Sequence, residues 1–317
     1  MPTVQTARGP VETSELGRTF MHEHVAIRGT DVFAHWPELD ESAACVEASR
    51  ERFAQLEERG VGTIVDVTPA NLGRDIALIE QVQASTSVNI IVATGMYWNV
   101  PLYWQGRDPD EMADAFVREI EQGIGETAVR AGIIKLASHQ TIEPVHEVLL
   151  RAGARAHRRT GVPITTHAMP QELGLEQQRI FREEGADLSR LVIGHQGNQP
   201  TPDYYRELMD GGGVIGVDNF GIEQANPAWH ESSGRVEVVA ELCADGYADR
   251  IVLAHDSVGC IDWAGVQGLR DRNPNWVSTY IPDVIAPALL EAGVSEAQLE
   301  QMLVTNPRRV FEAQGAY

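Results

Sequence analysis

The chain has 317 residues, 43% of them hydrophobic and 22% charged, and its formal net charge is −21. This composition is that of a soluble globular protein with one large α/β domain or two ordinary ones. The acidic balance argues against nucleic acid and against an anionic membrane surface as partners, because both bind basic faces.

The N-terminus lacks the apolar segment of a signal peptide, and no apolar run approaches the ~20 residues of a membrane span. We therefore expect a cytoplasmic protein. The three cysteines are widely spaced and form no CxxC motif, so they predict neither a disulfide framework nor a thiolate zinc site. Cys45 and Cys243 are expected to be small core residues, and Cys260 is expected to pack in a loop.

Eight short runs rich in β-branched residues recur along the chain. Several are almost continuously apolar, which is typical of parallel strands covered on both faces. The predicted strands are residues 18–25, 62–68, 89–95, 131–138, 162–168, 190–197, 213–220 and 250–257.

The segments between the strands have helical spacing, most clearly in 41–60 and 143–160, and 295–311 predicts closing helices. This alternation predicts an α/β fold, a single (β/α)8 TIM barrel domain over 1–317 with a short N-terminal extension, 1–17. A doubly wound open sheet is the alternative, but GxxxxGK[ST] does not occur, and the one GxGxxG match, at 211–216, runs into a predicted strand and does not lie between a strand and a helix.

Side chains that can bind metals fall at the carboxyl ends of the predicted strands, where such barrels place their active sites. One histidine at a strand end is more often structural, and an HxH pair alone is weak evidence. The coincidence of six such residues favours a metal site. They are His22, His24, Lys135, His167, His195 and Asp256. The remaining histidines of loops and helices are assigned no role; they are His35, His139, His146, His157 and His230.

Nitrogen and oxygen ligands without cysteine favour two divalent cations, zinc first, with manganese, cobalt or iron as the other candidates. Two neighbouring metals can polarise an oxygen and hold a bridging hydroxide as the nucleophile. Asp256 would bind one metal and accept the proton of that hydroxide.

Six segments, in this order, resemble the phosphotriesterase family of the amidohydrolase superfamily: GRTFMHEH, IIKLAS, TTHA, IGHQG, LAHDS and NPRRVF. The opening TVQTARGPVETSELGRTFMHEH is most similar to its phosphotriesterase-like lactonases, and the resemblance extends from Thr3 to Phe311. It implies a barrel with a binuclear metal centre that hydrolyses lactones, N-acyl-homoserine lactones included. It also implies promiscuous triesterase activity in some members, and commonly a homodimer.

Carried over position by position, the resemblance gives His22, His24 and Asp256 to the more buried metal. It gives His167 and His195 to the more exposed one.

Lys135 would bridge both metals as an N-carboxylated lysine. An apolar strand lowers the pKa of a lysine, and the neutral amine can combine with carbon dioxide to form an anionic carbamate. A salt bridge from Lys135 to Asp66 or Asp218 is the alternative.

The substrate pocket departs from the lactonase pattern. Tyr97 matches a family tyrosine, or packs as a strand-end aromatic, and Trp98 follows it as a second predicted substrate contact. In VDNFG, Asn219 replaces the arginine of the typical Asp-Arg-[Tyr/Phe]-Gly, and HQGNQ offers Gln196 and Asn198 where an acidic residue is usual. These departures concern the substrate and not the metals.

The long segment 257–279 matches the specificity loop of the family. Its Ile261, Trp263 and Trp276 would line an apolar acyl pocket. Alternatively, the two tryptophans anchor the loop or bury a dimer interface.

The sequence thus predicts a metal-dependent lactonase acting on a small molecule. A carboxylesterase, amidase or organophosphate hydrolase with the same centre is the alternative, and a non-catalytic binding protein on the same scaffold is a more remote one.

Overall fold

The computed structural model describes residues 1–199, 201–223, 230–262, 271–312 and 315–317. Two short antiparallel strands, β1 (Thr3–Thr6) and β2 (Gly9–Glu12), begin the chain. This hairpin accounts for most of the predicted extension 1–17. Its loop donates a hydrogen bond from Ala7 N to Ile90 O (2.8 Å), which fastens it to the central sheet.

A curled sheet of nine parallel strand segments forms the centre of the molecule, with the order and curl of a TIM-like barrel. The segments are β3 (Arg18–Ile27), β4 (Val61–Asp66), β5 (Asn89–Gly95), β6 (Ile133–His139), β7 (Ile164–Met169), β8 (Leu191–Gln196), β9 (Val214–Val217), β10 (Ile251–Leu253) and β11 (Val258–Ile261). Each segment from β3 to β10 pairs with its neighbour in chain order, so all eight predicted strands are confirmed.

The eighth predicted strand, 250–257, is shorter than expected. It is β10, which ends at Leu253 and pairs with β9, whereas β11 lies within the predicted loop 257–279 and pairs with β3 at the opposite end of the sheet order. Between them, Asp256 N donates to His22 O (3.0 Å), and His24 N donates to Ser257 O (2.9 Å). Asp256 has φ 54°, a left-handed conformation that interrupts an extended strand.

Helices follow most strands and cover the outside of the sheet. They are α1 (Thr30–Phe33), α2 (Ser42–Glu58), α3 (Ile76–Gln83), α4 (Pro109–Glu121), α5 (Pro144–Thr160), α6 (Leu173–Glu183), α7 (Pro202–Asp210), α8 (Ser232–Ala244), α9 (Ala286–Glu291), α10 (Glu296–Glu300) and α11 (Asn306–Glu312). Helix α5 has a capping box at its start and Gly161 in the left-handed conformation at its end. No described helix is both long and apolar enough to cross a lipid bilayer.

The cysteine prediction was wrong for two of the three residues. Cys45 on α2 and Cys260 on β11 form a disulfide across 215 residues of sequence. Only packing of α2 beside β11 brings them together, and sequence spacing gives no sign of that contact. Cys243 is a free, buried thiol, as expected.

Candidate active site

The six predicted metal ligands meet at the carboxyl ends of the strands. They line one cavity of about 320 Å³, together with apolar side chains from the surrounding loops. Lys135 on β6 is fully buried, and the four histidines are nearly so. The parallel strands bring residues that are far apart in sequence to one end of the sheet.

Three of these residues form one part of the cluster. His22 Nε2 lies 3.4 Å, and His24 Nε2 3.1 Å, from the same carboxylate oxygen, Asp256 Oδ1. The two histidines are two positions apart on β3, so both face the interior of the sheet.

His167 and His195 form the other part. His195 Nε2 lies 2.7 Å from His167 Nδ1, and their rings meet edge to face at a centroid distance of 4.4 Å. Two imidazole lone pairs at this distance repel each other unless a proton or a cation lies between them. The described residues provide no partner for His167 Nε2, which is also buried.

Asp218 fixes the tautomers of two histidines. Its Oδ2 lies 2.9 Å from His22 Nδ1 and its Oδ1 2.8 Å from His195 Nδ1, and Oδ2 also accepts the backbone N–H of His195 (2.9 Å). Since a carboxylate only accepts, both Nδ1 atoms carry the proton and both Nε2 atoms present lone pairs. A carboxylate behind the ring is the usual support of a metal-ligating histidine.

A second hydrogen-bonded chain orients His24. The Thr68 hydroxyl donates to Asp66 Oδ1 (2.5 Å), so its oxygen accepts the proton of His24 Nδ1 (2.8 Å). His24 Nε2 is therefore unprotonated, like those of His22 and His195.

The charges in the site agree with this assignment. Burial lowers the pKa of His22 to about 4, and neighbouring Lys135 lowers it further in the same sense. Burial alone would raise the pKa of Asp256, but the interactions with His22 and His24 outweigh it and bring the value to about 2. At neutral pH His22 and His167 are thus neutral and Asp256 is ionised, the protonation states that a cation requires.

Lys135 has the environment that the sequence predicts. Burial lowers its pKa to about 8, although Asp256 and Asp218 oppose the shift. Its Nζ lies 3.1 Å from His22 Nε2. Among the described residues it forms no ion pair with Asp66 or Asp218, so the alternative salt bridge is not observed.

Strained backbone is concentrated here. Apart from glycines, the left-handed conformation occurs in the described chain at Gln140, His195, Asn219 and Asp256. Three of these line the cavity, at the ends of β8, β9 and β10. Such strain costs on the order of 1 to 3 kcal/mol per residue and clusters at functional sites.

The predicted pocket residues are only partly brought together. Tyr97, Asn219, Ile261 and Trp276 line the cavity, and the Tyr97 hydroxyl lies 3.5 Å from His167 Nδ1. Trp276 also anchors its loop, because its Nε1 donates to the carbonyl oxygens of His255 and Asp256 (3.3 and 3.2 Å).

Trp98 lies beside the cavity instead. It lines an adjacent cavity and stacks on His139, at a centroid distance of 4.9 Å. His139 in turn lies 5.9 Å from His167, so a histidine given no role from sequence is close to the site. The sequence did offer a sign of this, because His139 follows Lys135 by four positions and so lies at the end of the same strand, β6. Trp263 lies outside the described residues.

Residues 2–311 match the family model described as "Phosphotriesterase family". The chain belongs to the phosphotriesterase family. A "Phosphotriesterase homology protein" of Mycobacterium tuberculosis is 44% identical, with 100% of both chains covered. The structure titled as the phosphotriesterase from Mycobacterium tuberculosis has a TM-score of 0.94, 44% identity and full coverage of both chains.

Two further members of the family differ in their named activities. An "Aryldialkylphosphatase" of Saccharolobus solfataricus is 35% identical and covers 95% of this chain and 96% of its own. A mutant of a PTE-like lactonase from Deinococcus radiodurans has a TM-score of 0.89 and 34% identity, covering 97% of this chain and 99% of its own. The family therefore supports a hydrolase, and its members differ in the bond they cleave.

Proposed function

We propose that this protein is a metal-dependent lactonase with the closed (β/α)8 barrel of its family. The observation that carries the proposal is the convergence of three oriented imidazole nitrogens and one carboxylate at the floor of an apolar cavity. His22 and His24 direct unprotonated Nε2 atoms at Asp256, and His195 directs its own at His167. The hydrogen bonds at the Nδ1 atoms of these three histidines leave their Nε2 lone pairs directed into the cluster.

Two divalent cations fit this donor set, zinc first and manganese, cobalt or iron as alternatives. His22, His24 and Asp256 would hold one, His167 and His195 the other, and a carboxylated Lys135 would lie between them. When bound, the pair would supply Lewis acidity that polarises the substrate oxygen and acidifies water.

The protein's own groups have defined tasks in this proposal. Asp256 is ionised and its side chain is 21% exposed, so it can accept the proton of the attacking water. Burial raises the pKa of Tyr97, which keeps its hydroxyl protonated beside His167. In this proposal that hydroxyl donates a hydrogen bond to the leaving ring oxygen.

The side chains that line the cavity favour a neutral substrate with an apolar part. Its apolar lining consists of Ile27, Leu72, Met169, Ile222, Val258, Ile261 and Trp276. Among the described lining residues, Lys135 and Asp256 are the only ones other than histidine whose side chains can carry charge. Asn219 offers a neutral amide where lactonases have a guanidinium, so it can hydrogen-bond a carbonyl but cannot neutralise an anion.

An organophosphate triester is the second candidate substrate. The relative named aryldialkylphosphatase supports it. A triester is likewise neutral, and the same water would attack its phosphorus in line with the leaving group. Carboxylate esters and amides would be attacked at a carbonyl carbon, as a lactone is. No comparable observation favours them.

A hydrolysis screen of the metal-loaded enzyme tests this proposal. It should include homoserine lactones of several acyl lengths, simple γ- and δ-lactones, aryl esters, N-acyl amides and a phosphotriester. We expect the highest kcat/KM for a lactone, and at least a ~100-fold loss in Asp256→Asn, as for removal of a general base. Asp203→Asn, at a carboxylate 99% exposed, is the matched control and should retain full activity. Preference for another class would overturn the lactonase assignment.

The assembly is proposed to be a homodimer. Four exposed aromatic or aliphatic side chains in the segments that follow β3 and β5 support an interface: Trp36, Leu39, Leu102 and Tyr103. Light scattering of the purified protein should give twice the chain mass of 34.8 kDa. A monomer at micromolar concentration would contradict this. The cytoplasmic location stays a prediction.

A further inference from the structure

A second group of metal-ligating atoms lies outside the cavity, where α2 meets β11. The two sulfurs of the Cys45–Cys260 disulfide face the carboxylate of Asp262, which directly follows β11. Asp262 Oδ1 is 3.9 Å from Cys45 Sγ and 3.8 Å from Cys260 Sγ. The three ligand atoms all lie within 4.8 Å of one another.

The backbone and Arg28 fix the orientation of that carboxylate. Asp262 Oδ2 accepts the N–H of Gly29 (3.1 Å) and lies 3.5 Å from Arg28 Nε. Oδ1 is thereby turned towards the two sulfurs. In the disulfide the sulfurs carry no hydrogen, so they cannot donate to this oxygen. The lone pairs of a carboxylate oxygen that faces two groups without donors remain available to a cation between the three atoms.

The surrounding charge also favours a cation. The buried guanidinium of Arg28 faces three carboxylates, those of Asp40, Asp75 and Asp262, which leaves an excess of two negative charges. Cys45 is buried, whereas Cys260 and Asp262 are partly exposed, so an ion can enter from the solvent side.

We propose that Cys45, Cys260 and Asp262 form a redox-dependent site for one thiophilic divalent cation of the zinc type. The disulfide is its oxidised, metal-free state. Tetrahedral zinc with Zn–S of ~2.3 Å and Zn–O of ~2.0 Å places sulfur and oxygen ligands about 3.5 Å apart. The observed 3.8 and 3.9 Å are close to this separation. The two sulfurs must separate to roughly 3.8 Å, and water completes the shell.

The conversion balances with a phosphine as reductant. The phosphine gives two electrons to the S–S bond and takes the oxygen of one water, becoming a phosphine oxide, and the two protons of that water go to the sulfurs. The cation then displaces both protons as the thiolates bind it. The site is separate from the predicted binuclear centre, whose ligands are nitrogen and oxygen atoms.

The position of this site gives it access to the cavity wall. Strand β11 carries Cys260 between Val258 and Ile261, and both apolar residues line the cavity. Either the disulfide or a bound cation ties this wall to α2. Reduction without metal would release it.

Cobalt(II) is the probe that distinguishes this site from the binuclear centre. Full-length protein is reduced with a phosphine, its free thiols are counted after denaturation to confirm three, and the folded sample is titrated with cobalt. We expect a thiolate-to-cobalt charge-transfer band in the near ultraviolet and one more bound metal per chain than in the oxidised protein. Nitrogen and oxygen ligands alone give no such band.

Substitutions locate the ligands. Cys45→Ser and Cys260→Ser should each abolish the band, and Asp262→Asn should weaken cobalt binding at least tenfold. The matched control is Cys243→Ser, which removes the buried free thiol and should leave the band intact. Retained circular dichroism shows that each variant is folded. The proposal is overturned if the fully reduced protein shows no band, or if the band survives in the Cys45→Ser, Cys260→Ser double variant.

Discussion

Asp218 is the residue on which most of the site's protonation pattern depends. It accepts from the Nδ1 atoms of His22 and His195 and is fully buried. Burial alone would raise the pKa of Asp218, but the two imidazoles, led by His195, hold it well below its ordinary value. Asp218 thus orients one predicted ligand of each of the two metals.

Replacing Asp218 by asparagine should lower metal affinity by about 10- to 100-fold, the usual effect of losing a carboxylate behind a ligating histidine. Chelator competition measures that affinity. Asp66→Asn is the comparison, because Asp66 supports one predicted ligand, His24, and does so through Thr68. An unchanged affinity in Asp218→Asn would show that the tautomers are set elsewhere.

The role of Lys135 can be tested separately from that of the metals' other ligands. Lys135→Ala should lose activity, and short carboxylic acids or bicarbonate should restore part of it by occupying the space of the bridging carboxylate. Rescue is measured as kcat against acid concentration. No rescue at any concentration, in a variant that remains folded, would argue against a carboxylated lysine.

At the level of elements, Gly95 determines how closely β5 and β6 approach at the lysine. Gly95 has φ 109°, and a Cβ there would lie 1.9 Å from the carbonyl oxygen of Lys135. The neighbouring Met96 N donates to that same oxygen (3.0 Å). A side chain at this position must therefore displace the strand that carries Lys135.

Gly95→Ala should destabilise the protein by about 3 kcal/mol or more, since backbone strain and a core clash each cost on the order of 1 to 3 kcal/mol. Gly293→Ala is a matched control, because Gly293 has a similar φ of 96° but open space around its Cβ. In urea denaturation, the control should lose only the part of the unfolding free energy that backbone strain costs. Equal losses in both variants would mean that the sheet accommodates the clash.

At the scale of the whole molecule, Glu23 on β3 is hydrogen-bonded to the segment between β10 and β11. Its Oε1 accepts from His255 N and Nδ1 (2.9 and 2.7 Å), and its Oε2 accepts from Arg52 Nη2 (2.8 Å) and Ser257 Oγ (2.6 Å). Glu23 lies between His22 and His24 in the sequence, and its partners His255 and Ser257 lie on either side of Asp256. These outward-facing hydrogen bonds thus fix the position of the predicted inward-facing ligands relative to one another.

Glu23→Gln should cost about 3 kcal/mol of stability, because it leaves the buried Arg52 without its carboxylate. Glu111→Gln, in an exposed pair with Arg107, should cost about 0.5 kcal/mol or less. Burial alone would raise the pKa of Glu23, but His255 and Arg52 outweigh it and lower the value. Its contribution is therefore present above the unfolded pKa of about 4.3 and lost as the pH falls below it. Identical unfolding free energies for the two variants at pH 7 would contradict this.

Much of the fold and the site could be predicted from sequence. Continuous apolar runs predict buried parallel strands, and the strand ends then place His22, Lys135 and His195 at one edge without knowledge of any contact. The interruption of the eighth strand could not be predicted, since it depends on the left-handed conformation of Asp256. Hydrophobic periodicity does not record that conformation.

The sequence by itself therefore determined the strand order, the six side chains that meet in the cavity and the family, because these depend on local patterns and residue identity. Tertiary structure alone decided which side chains support the ligands and which cysteines meet. Asp218, Thr68 and Glu23 act through hydrogen bonds between strands, and the Cys45–Cys260 pair exists because α2 packs on β11. Such contacts join residues distant in sequence, and a single chain of letters carries no signal for their separation in space.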